Sequence, residues 1–222
     1  MNIPAAHASN VDQATYWNGP SGRRWIDRQE MQDGILAPVA ERLLKSAGAA
    51  PGDRVIDIGC GCGATTLEIA RRVGPAGGAI GVDVSAPMLE RARERMLPGA
   101  EFLLADAMTH PFAPGAADLV LSRFGVMFFA DPARVQRILA AAGFAEIVLT
   151  PVDFDLDLAA GEGFEAGLTT AQEIGAASRA LEGQPEALRA AAAEEIRAAL
   201  APYQRGQSLP LGAAIWIVSA KA

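Results

Sequence analysis

Apolar residues along positions 35–130 repeat with two different periods. Short apolar runs predict strands at residues 55–58, 79–83, 101–104 and 118–122. Apolar residues spaced three or four positions apart predict helices at residues 33–47, 65–73 and 87–95. Strands that alternate with helices are typical of a parallel sheet with helices on both faces. The pattern therefore predicts a doubly wound α/β fold.

The second half of the chain has a different pattern. A helix is predicted over residues 132–142, followed by a long strand or hairpin at 146–158 in which Asp153, Asp155 and Asp157 alternate with apolar residues. This alternation is typical of a strand with one wet face. Residues 160–205 are rich in Ala and Glu and predict helices with a break near residues 183–185, and residues 213–219 predict the last strand.

The N-terminal 30 residues are predicted to be an arm with a possible lid. Residues 1–14 show no periodicity, and Thr15–Trp25 are dense in aromatic residues. The aromatic segment either docks on the flank of the sheet or covers a ligand. Residues 31–222 are predicted to form a single domain, with 160–205 as a helical insert before the last strand. Ser85 is predicted to cap the helix that follows it.

Composition excludes several classes of function. The chain has 222 residues, is 50% hydrophobic and carries a formal net charge of −7, with no basic run longer than two residues, so we expect no nucleic-acid partner. No apolar run is long enough to cross a membrane, and no signal peptide is evident, so we expect a cytoplasmic protein without a membrane partner. Cys60 and Cys62 are interpreted as free thiols in a tight turn, with no metal site. The sequence does not indicate an oligomeric state.

The most informative segment joins the first strand to the next helix. Asp57 is followed by Gly59, Gly61 and Gly63, which suit a tight turn close to a ligand, but the spacing also fits a dinucleotide-binding loop. Asp57 favours a ligand with an ammonium group, because a carboxylate would repel a pyrophosphate. Asp83 lies 20 residues beyond Gly63, where an acid accepts ribose hydroxyls from either kind of ligand.

These residues resemble the class I S-adenosylmethionine-dependent methyltransferases. The resemblance extends over residues 35–130, through four segments in order: Arg54–Thr66, Gly81–Leu89, Phe102–Ala107 and Asp118–Phe129. It implies a Rossmann-like methyltransferase sheet with flanking helices, and S-adenosylmethionine as the cofactor.

The resemblance also implies a role for each matching residue. The amino-acid tail of the cofactor would be held by one carboxylate and the turn backbone, at Asp57, Gly59, Cys60 and Gly61. The nucleoside would contact Asp83 through its ribose, and Val84, Met88, Asp106 and Ala107 through its adenine. Ser122 and Arg123, with Phe124, would line the tail and the methyl group. His110, in the loop after Asp106, is interpreted as polar surface.

One part of the chain departs from the family. Class I methyltransferases have seven strands in spatial order 3-2-1-4-5-7-6, whereas this sequence predicts six, with the fifth missing. We hypothesise that a segment near Asp131–Pro132 is absent. The alternative is that residues 146–158 supply two strands with a bend at Pro151.

Three functions remain open from the sequence. The first is methyl transfer to a small-molecule acceptor, whose pocket would draw on residues 15–30, 122–129 and 160–205. The aromatic side chains in these segments suggest an apolar or aromatic acceptor; they are Trp17, Trp25, Phe124, Phe128 and Phe129. No catalytic residue is predicted, because displacement at a sulfonium methyl can proceed by alignment and desolvation. The second is a non-catalytic relative that binds the cofactor but lacks strand 5, and the third is a nicotinamide-dependent oxidoreductase.

Overall fold

The computed structural model of this chain describes residues 10–95, 97–128, 140, 145–173 and 176–221. The chain divides into two compact units. One comprises Met1–Gln29, Val39–Leu149 and Ile217–Ala222, and the other comprises Glu30–Pro38 and Thr150–Trp216.

Four parallel strands form the central sheet. They are β1 (Arg54–Ile58), β2 (Gly78–Asp83), β3 (Ala100–Leu104) and β4 (Leu119–Leu121), in the spatial order β3-β2-β1-β4. The parallel sheet and the α/β class confirm the prediction. The two other strands of the described residues, β5 (Ala145–Asp157) and β6 (Pro210–Lys221), pair with each other in a separate two-stranded sheet.

Helices of the described chain precede β1, separate β1 from β2 and β2 from β3, and lie between β5 and β6. They are α1 (Val11–Asn18), α2 (Pro20–Asp27), α3 (Gln29–Ala47), α4 (Ala64–Val73), α5 (Ala86–Glu94), α6 (Phe164–Glu173), α7 (Ala176–Leu181) and α8 (Glu186–Leu200). The predicted break near residues 183–185 is confirmed between α7 and α8. Helix α3 begins earlier than predicted and contains Pro38 in its interior, although proline cannot donate an amide to the carbonyl four residues back.

The core of the first unit lies on both faces of β1. Val55 packs with Leu44, Ile69 and Val73 on one side, and Ile56 packs with Val82 and Ala105 on the other. Successive side chains of a strand point to opposite faces, so a strand with neighbouring buried residues is covered on both sides. This burial fixes the position of the strand that carries Asp57.

Several details differ from the sequence-based expectations. Helix α1 begins at Val11, inside the segment for which no regular structure was expected. Strand β5 runs without interruption through Pro151, so the alternative with two strands and a bend at that residue is wrong. A proline is tolerated there because a two-stranded sheet leaves one edge of each strand unpaired. The predicted alternation in β5 is confirmed, because Asp153 and Asp155 are exposed.

The segment hypothesised to be absent would lie near Asp131–Pro132, which are outside the described residues. The predicted helix 132–142 also lies almost wholly outside them. The described part of the chain contains six strands, the number predicted, but they form two sheets instead of the single sheet that was expected. Among the described helices, none has the length and apolar character that crossing a membrane requires.

Candidate cofactor site

The glycine turn between β1 and α4 is held by its own backbone. Gly59, Gly61 and Gly63 have φ angles of 70°, 56° and 81°, a left-handed conformation that favours glycine. The amides of Gly59 and Cys60 both donate to the Val82 carbonyl, at 2.8 and 3.2 Å, and the Gly63 amide donates to the Cys60 carbonyl at 2.9 Å. The turn is therefore tied to the end of β2.

Asp57 is a buried carboxylate with one satisfied oxygen. Its side chain is 1% exposed, and the Thr66 hydroxyl donates to Oδ2 at 2.7 Å. Oδ1 is buried and has no hydrogen-bond partner. Burial raises the pKa of Asp57 to about 6, the charge of Asp83 adds to the rise, and the Thr66 hydrogen bond and the charge of Arg123 oppose it. A buried acceptor without a donor is costly, so this atom calls for a cationic or hydrogen-bonding ligand.

Asp83 lies at the end of β2 with both carboxylate oxygens oriented. Oδ2 accepts from the Gly61 amide at 2.8 Å, and Oδ1 accepts from the Ser85 amide at 2.9 Å. Burial raises the pKa of Asp83, while these two amides and that of Val84 oppose the rise. Each oxygen has a second lone pair that can accept from another donor. The carboxylate is therefore fixed in direction and can still accept ligand hydroxyls.

Small residues make room for the groups beneath the turn. A Cβ on Gly81 would lie 2.7 Å from Thr66 Oγ1 and 2.8 Å from Cys60 Sγ, so a larger residue would collide with both. Burial and the carboxylates of Asp83 and Asp57 raise the pKa of the Cys60 thiol well above its ordinary value, so the thiol stays protonated at neutral pH. The second cysteine, Cys62, is also a buried free thiol.

The loop after β4 packs against the glycine turn, backbone to backbone. The Ser122 hydroxyl donates to the Ile58 carbonyl at 2.7 Å and accepts from the Val126 amide at 3.2 Å. A Cβ on Gly125 would lie 2.4 Å from the Ile58 carbonyl oxygen and 2.7 Å from Gly59 Cα, which only glycine avoids. Ser122 therefore joins the ends of β1 and β4.

Two further residues of this loop bear on the site. Arg123 acts on Asp57 through its charge. Phe124 adopts a φ of 67°, a conformation that costs a non-glycine residue about 1 kcal/mol or more and is often found at functional sites. The loop geometry is thus strained where it approaches the ligand side of β4.

Two of the remaining predicted adenine contacts follow β3, and a third lies on α5. Asp106 is 4% exposed, and its Oδ1 accepts from the Met108 amide at 2.9 Å. Ala107 packs against the apolar cluster around Ile56. Met88, on α5, is 4% exposed, and its Cε would lie 3.2 Å from a Cβ on Gly61. His110 packs edge-on against Phe112 at 4.6 Å between ring centroids. Phe129 lies outside the described residues.

Sequence reasoning missed three residues of this site. Two of them are Thr66 and Gly125. Thr66 could have been found as a threonine on the apolar face of a helix. The third is Asn18 on α1, whose side chain bonds to the backbone of the turn between β2 and α5. No local pattern predicts such a contact, because its partners lie far away in sequence.

The site fits S-adenosylmethionine in two respects. Asp57 Oδ1 offers an unsatisfied acceptor, which suits the ammonium group of an amino-acid tail. Asp83 offers oriented acceptors, which suit the two hydroxyls of a ribose. Among the described residues, no group of three or more His, Cys, Asp or Glu side chains is arranged to hold a metal ion.

Known proteins resemble the same part of the chain. Residues 55–143 match the family model described as a methyltransferase domain. The chain is 36% identical over 117 residues to nocamycin O-methyltransferase of Saccharothrix syringae, which covers 49% of this chain and 42% of that protein. It is 35% identical over 118 residues to aklanonic acid methyltransferase of a Streptomyces species, covering 51% of each. The chain spans about half the length of the curated relatives it matches.

A solved structure with similarity to this chain is magnesium protoporphyrin IX methyltransferase from Synechocystis, with a TM-score of 0.47 and 19% identity over 68% of this chain and 78% of that one. The family model covers the glycine turn and the strands on both sides of it. The matches over about half of the chain support a class I S-adenosylmethionine-dependent methyltransferase domain, and they imply S-adenosylmethionine as its cofactor.

Proposed function

We propose that this chain transfers a methyl group from S-adenosylmethionine to a small-molecule acceptor. The observation that carries the proposal is the unsatisfied Oδ1 of Asp57, buried beside a glycine turn whose other side orients Asp83. One carboxylate would hold the cofactor's ammonium group and the other its ribose. The two acids would bind separate parts of the same ligand.

The turn amides favour this ligand over a dinucleotide. A pyrophosphate at such a turn is bound by free backbone amides. Here the amides of Gly59, Cys60, Gly61 and Gly63 all donate within the protein. The negative charge of Asp57 adds a further penalty for an anion. A nicotinamide-dependent oxidoreductase is therefore the weaker proposal.

The remaining site residues would complete the cofactor pocket. Val84 and Met88 would flank the adenine, Asp106 and Ala107 would contact its edge, and Arg123 would balance the charge of Asp57 near the tail. We assign Ser122 a structural part in this pocket, because its hydroxyl both donates to and accepts from the backbone.

When bound, the cofactor would supply a methyl group on a sulfonium sulfur, and that sulfur can depart as a neutral thioether once the acceptor–carbon bond replaces the carbon–sulfur bond. The chain's part is to align the two reactants and to exclude water. Asp57 and Asp83 hold the ends of the cofactor, and the loop at Phe124 approaches the reacting side. We assign no general base, since an acceptor that is already nucleophilic does not need one.

The small-molecule class of acceptor is supported by the names of the relatives. Besides the nocamycin and aklanonic acid methyltransferases, a Nostoc protein named 2-phytyl-1,4-naphtoquinone methyltransferase is 35% identical over 104 residues, which cover 44% of this chain and 45% of that protein. Trp17 and Trp25 pack edge to face with centroids 5.8 Å apart, and they supply aromatic surface on the N-terminal helices. We propose an apolar or aromatic acceptor.

The test is calorimetric titration with S-adenosylmethionine and S-adenosylhomocysteine, followed by a methyl-transfer screen. Binding of both ligands that is weakened, though still measurable, in Asp83→Ala supports the cofactor site. A folded protein that binds NADH and neither of these ligands would overturn the proposal.

A non-catalytic relative is the second candidate. It is favoured by the described sheet, where β4 is a three-residue edge strand and Val120 is 50% exposed. Cofactor binding without methyl transfer to any acceptor of a broad aromatic and quinone panel would favour it.

We also propose a cytoplasmic location, on the free thiols of Cys60 and Cys62. Fractionation of expressing cells tests this, and recovery from the secreted fraction would contradict it.

A further inference from the structure

The N-terminus of helix α5 is capped by a side chain that is distant in the sequence. Its N-cap residue, Ser85, does not cap it: the Ser85 hydroxyl donates instead to the Trp17 carbonyl at 2.8 Å. The amide of Ala86, the first residue of α5, donates to Asn18 Oδ1 at 3.1 Å, across 68 residues. The prediction that Ser85 caps this helix is therefore wrong, and Asn18 has taken over the task.

The same asparagine holds the other side of the turn. Asn18 Nδ2 donates to the Val84 carbonyl at 2.9 Å and to the Ala14 carbonyl of its own helix at 2.8 Å. One side chain thus binds the backbone on both sides of Ser85, which is fully buried. The turn between β2 and α5 is fixed from outside by the end of α1.

This turn also orients Asp83. The Ser85 amide donates to Asp83 Oδ1 at 2.9 Å, so a shift of the turn at residues 84–86 would move a donor of that carboxylate. Helix α1, which carries Asn18, packs tightly against α2. A Cβ on Gly22 of α2 would lie 1.9 Å from the Trp17 carbonyl oxygen, the same atom that accepts from Ser85. Asn18 therefore lies in a well-defined place.

We propose that Asn18 is a positioning residue for the nucleoside end of the cofactor site. It holds the turn 84–86 in the conformation in which Asp83 accepts the ribose hydroxyls. The inference rests on the proposed function, since it needs the ribose at Asp83. It gives the N-terminal helices a part in cofactor binding that is separate from any contact with the acceptor.

The test is a double-mutant cycle on the affinity for S-adenosylhomocysteine, measured by calorimetry. Removing Asn18 leaves the Ala86 amide and the Val84 carbonyl without this partner, and we expect Asn18→Ala to weaken binding about 10-fold or more. In the Asp83→Ala background the same change should weaken binding less than about 3-fold, because residues that act through one another are not additive.

Two further variants separate positioning from stability. Asp12→Ala changes an exposed side chain of the same helix and should leave the affinity unchanged. Asn18→Asp keeps an acceptor for the Ala86 amide and loses the donor to the Val84 carbonyl, so it should recover part of the affinity. Amide hydrogen exchange at Ala86 in the unliganded protein should accelerate in Asn18→Ala and stay slow in Asn18→Asp.

The outcomes distinguish the inference from the proposed function. If the wild-type chain, folded by circular dichroism, does not bind S-adenosylhomocysteine, the proposed function fails and this inference fails with it. If the wild type binds and Asn18→Ala binds equally well, only the inference fails. Equal losses in the wild-type and Asp83→Ala backgrounds would also overturn it, because they would show that Asn18 acts independently of Asp83.

Discussion

Protonation of Asp57 should weaken cofactor binding as the pH falls. Burial holds the pKa of this carboxyl at about 6 in the free protein, and a bound ammonium group would lower it, so binding should release a proton below that pH. With that pKa, about 90% of the carboxyl is ionised at pH 7 and about 10% at pH 5, which predicts a loss of about 10-fold in affinity. The ligand's α-amino group loses its own proton at alkaline pH, so affinity should also fall there.

The assay is calorimetric titration of S-adenosylhomocysteine from pH 5 to 9, in pairs of buffers with different ionisation enthalpies. The buffer pairs report proton release directly. The matched variant is Asp57→Asn, which keeps an oxygen that can accept from Thr66 and removes the charge. We expect it to bind about 10- to 100-fold more weakly at pH 7, because a charge-assisted hydrogen bond is lost. Its affinity should not decline near pH 6.

A second acid complicates the low-pH limb. Burial also raises the pKa of Asp83, so a decline that persists in Asp57→Asn would belong to that residue. The reasoning is refuted if wild-type affinity is the same at pH 5 and pH 7. It is also refuted if Asp57→Asn shows the same decline and the same proton release as the wild type.

Three further changes test the fold of the two units. Because the pKa of Asp57 is raised in the folded state, its ionisation costs stability as the pH rises from about 4 to about 6. The stability of Asp57→Asn relative to wild type in urea should therefore increase by about 2 kcal/mol from pH 4 to pH 7, and a constant difference would contradict this. Gly81→Ala should lower stability by about 1–3 kcal/mol through overpacking, whereas Gly78→Ala on the same strand, whose Cβ would meet nothing closer than 3.9 Å, should have little effect in the same melts. Asp157→Ala removes the acceptor for three backbone amides and should lower stability by about 1–3 kcal/mol. Burial opposes ionisation of this acid, but those amides lower its pKa, so the stability that Asp157 contributes should be lost only as the pH falls below the ordinary aspartate range. Equal stability of the variant and the wild type at pH 7 would refute this prediction.

The sequence predicted the cofactor half of the fold well because its signals are local. Val55, Ile56 and Ile58 form one buried strand, and the glycines that follow it have the left-handed backbone that the turn requires. Each of these features is set by residues within about ten positions of one another, so hydrophobic period and turn chemistry suffice to find them. The order of the four parallel strands also follows from the resemblance to the family.

Contacts between distant segments could not be predicted in this way. Ser85 has the residue type of a helix cap, yet its hydroxyl bonds to Trp17 because Asn18 already occupies the capping position. The pairing of β5 with β6 depends on where the chain places each strand, and the alternation in β5 indicates only that one face is wetter than the other. Local pattern specifies an element, and tertiary packing decides its partners.

The cofactor site is largely formed before any ligand binds. Four amides of the glycine turn, both oxygens of Asp83 and the hydroxyl of Ser122 already have partners within the protein. A frame of this kind needs little ordering when the ligand arrives, so it loses little binding free energy to conformational entropy. Asp57 Oδ1 is the exception, because a buried acceptor without a donor destabilises the free protein. Relief of that penalty is available only to a ligand that brings a cation or a donor, so the amino-acid end of the cofactor should supply much of the affinity while the nucleoside end supplies its position.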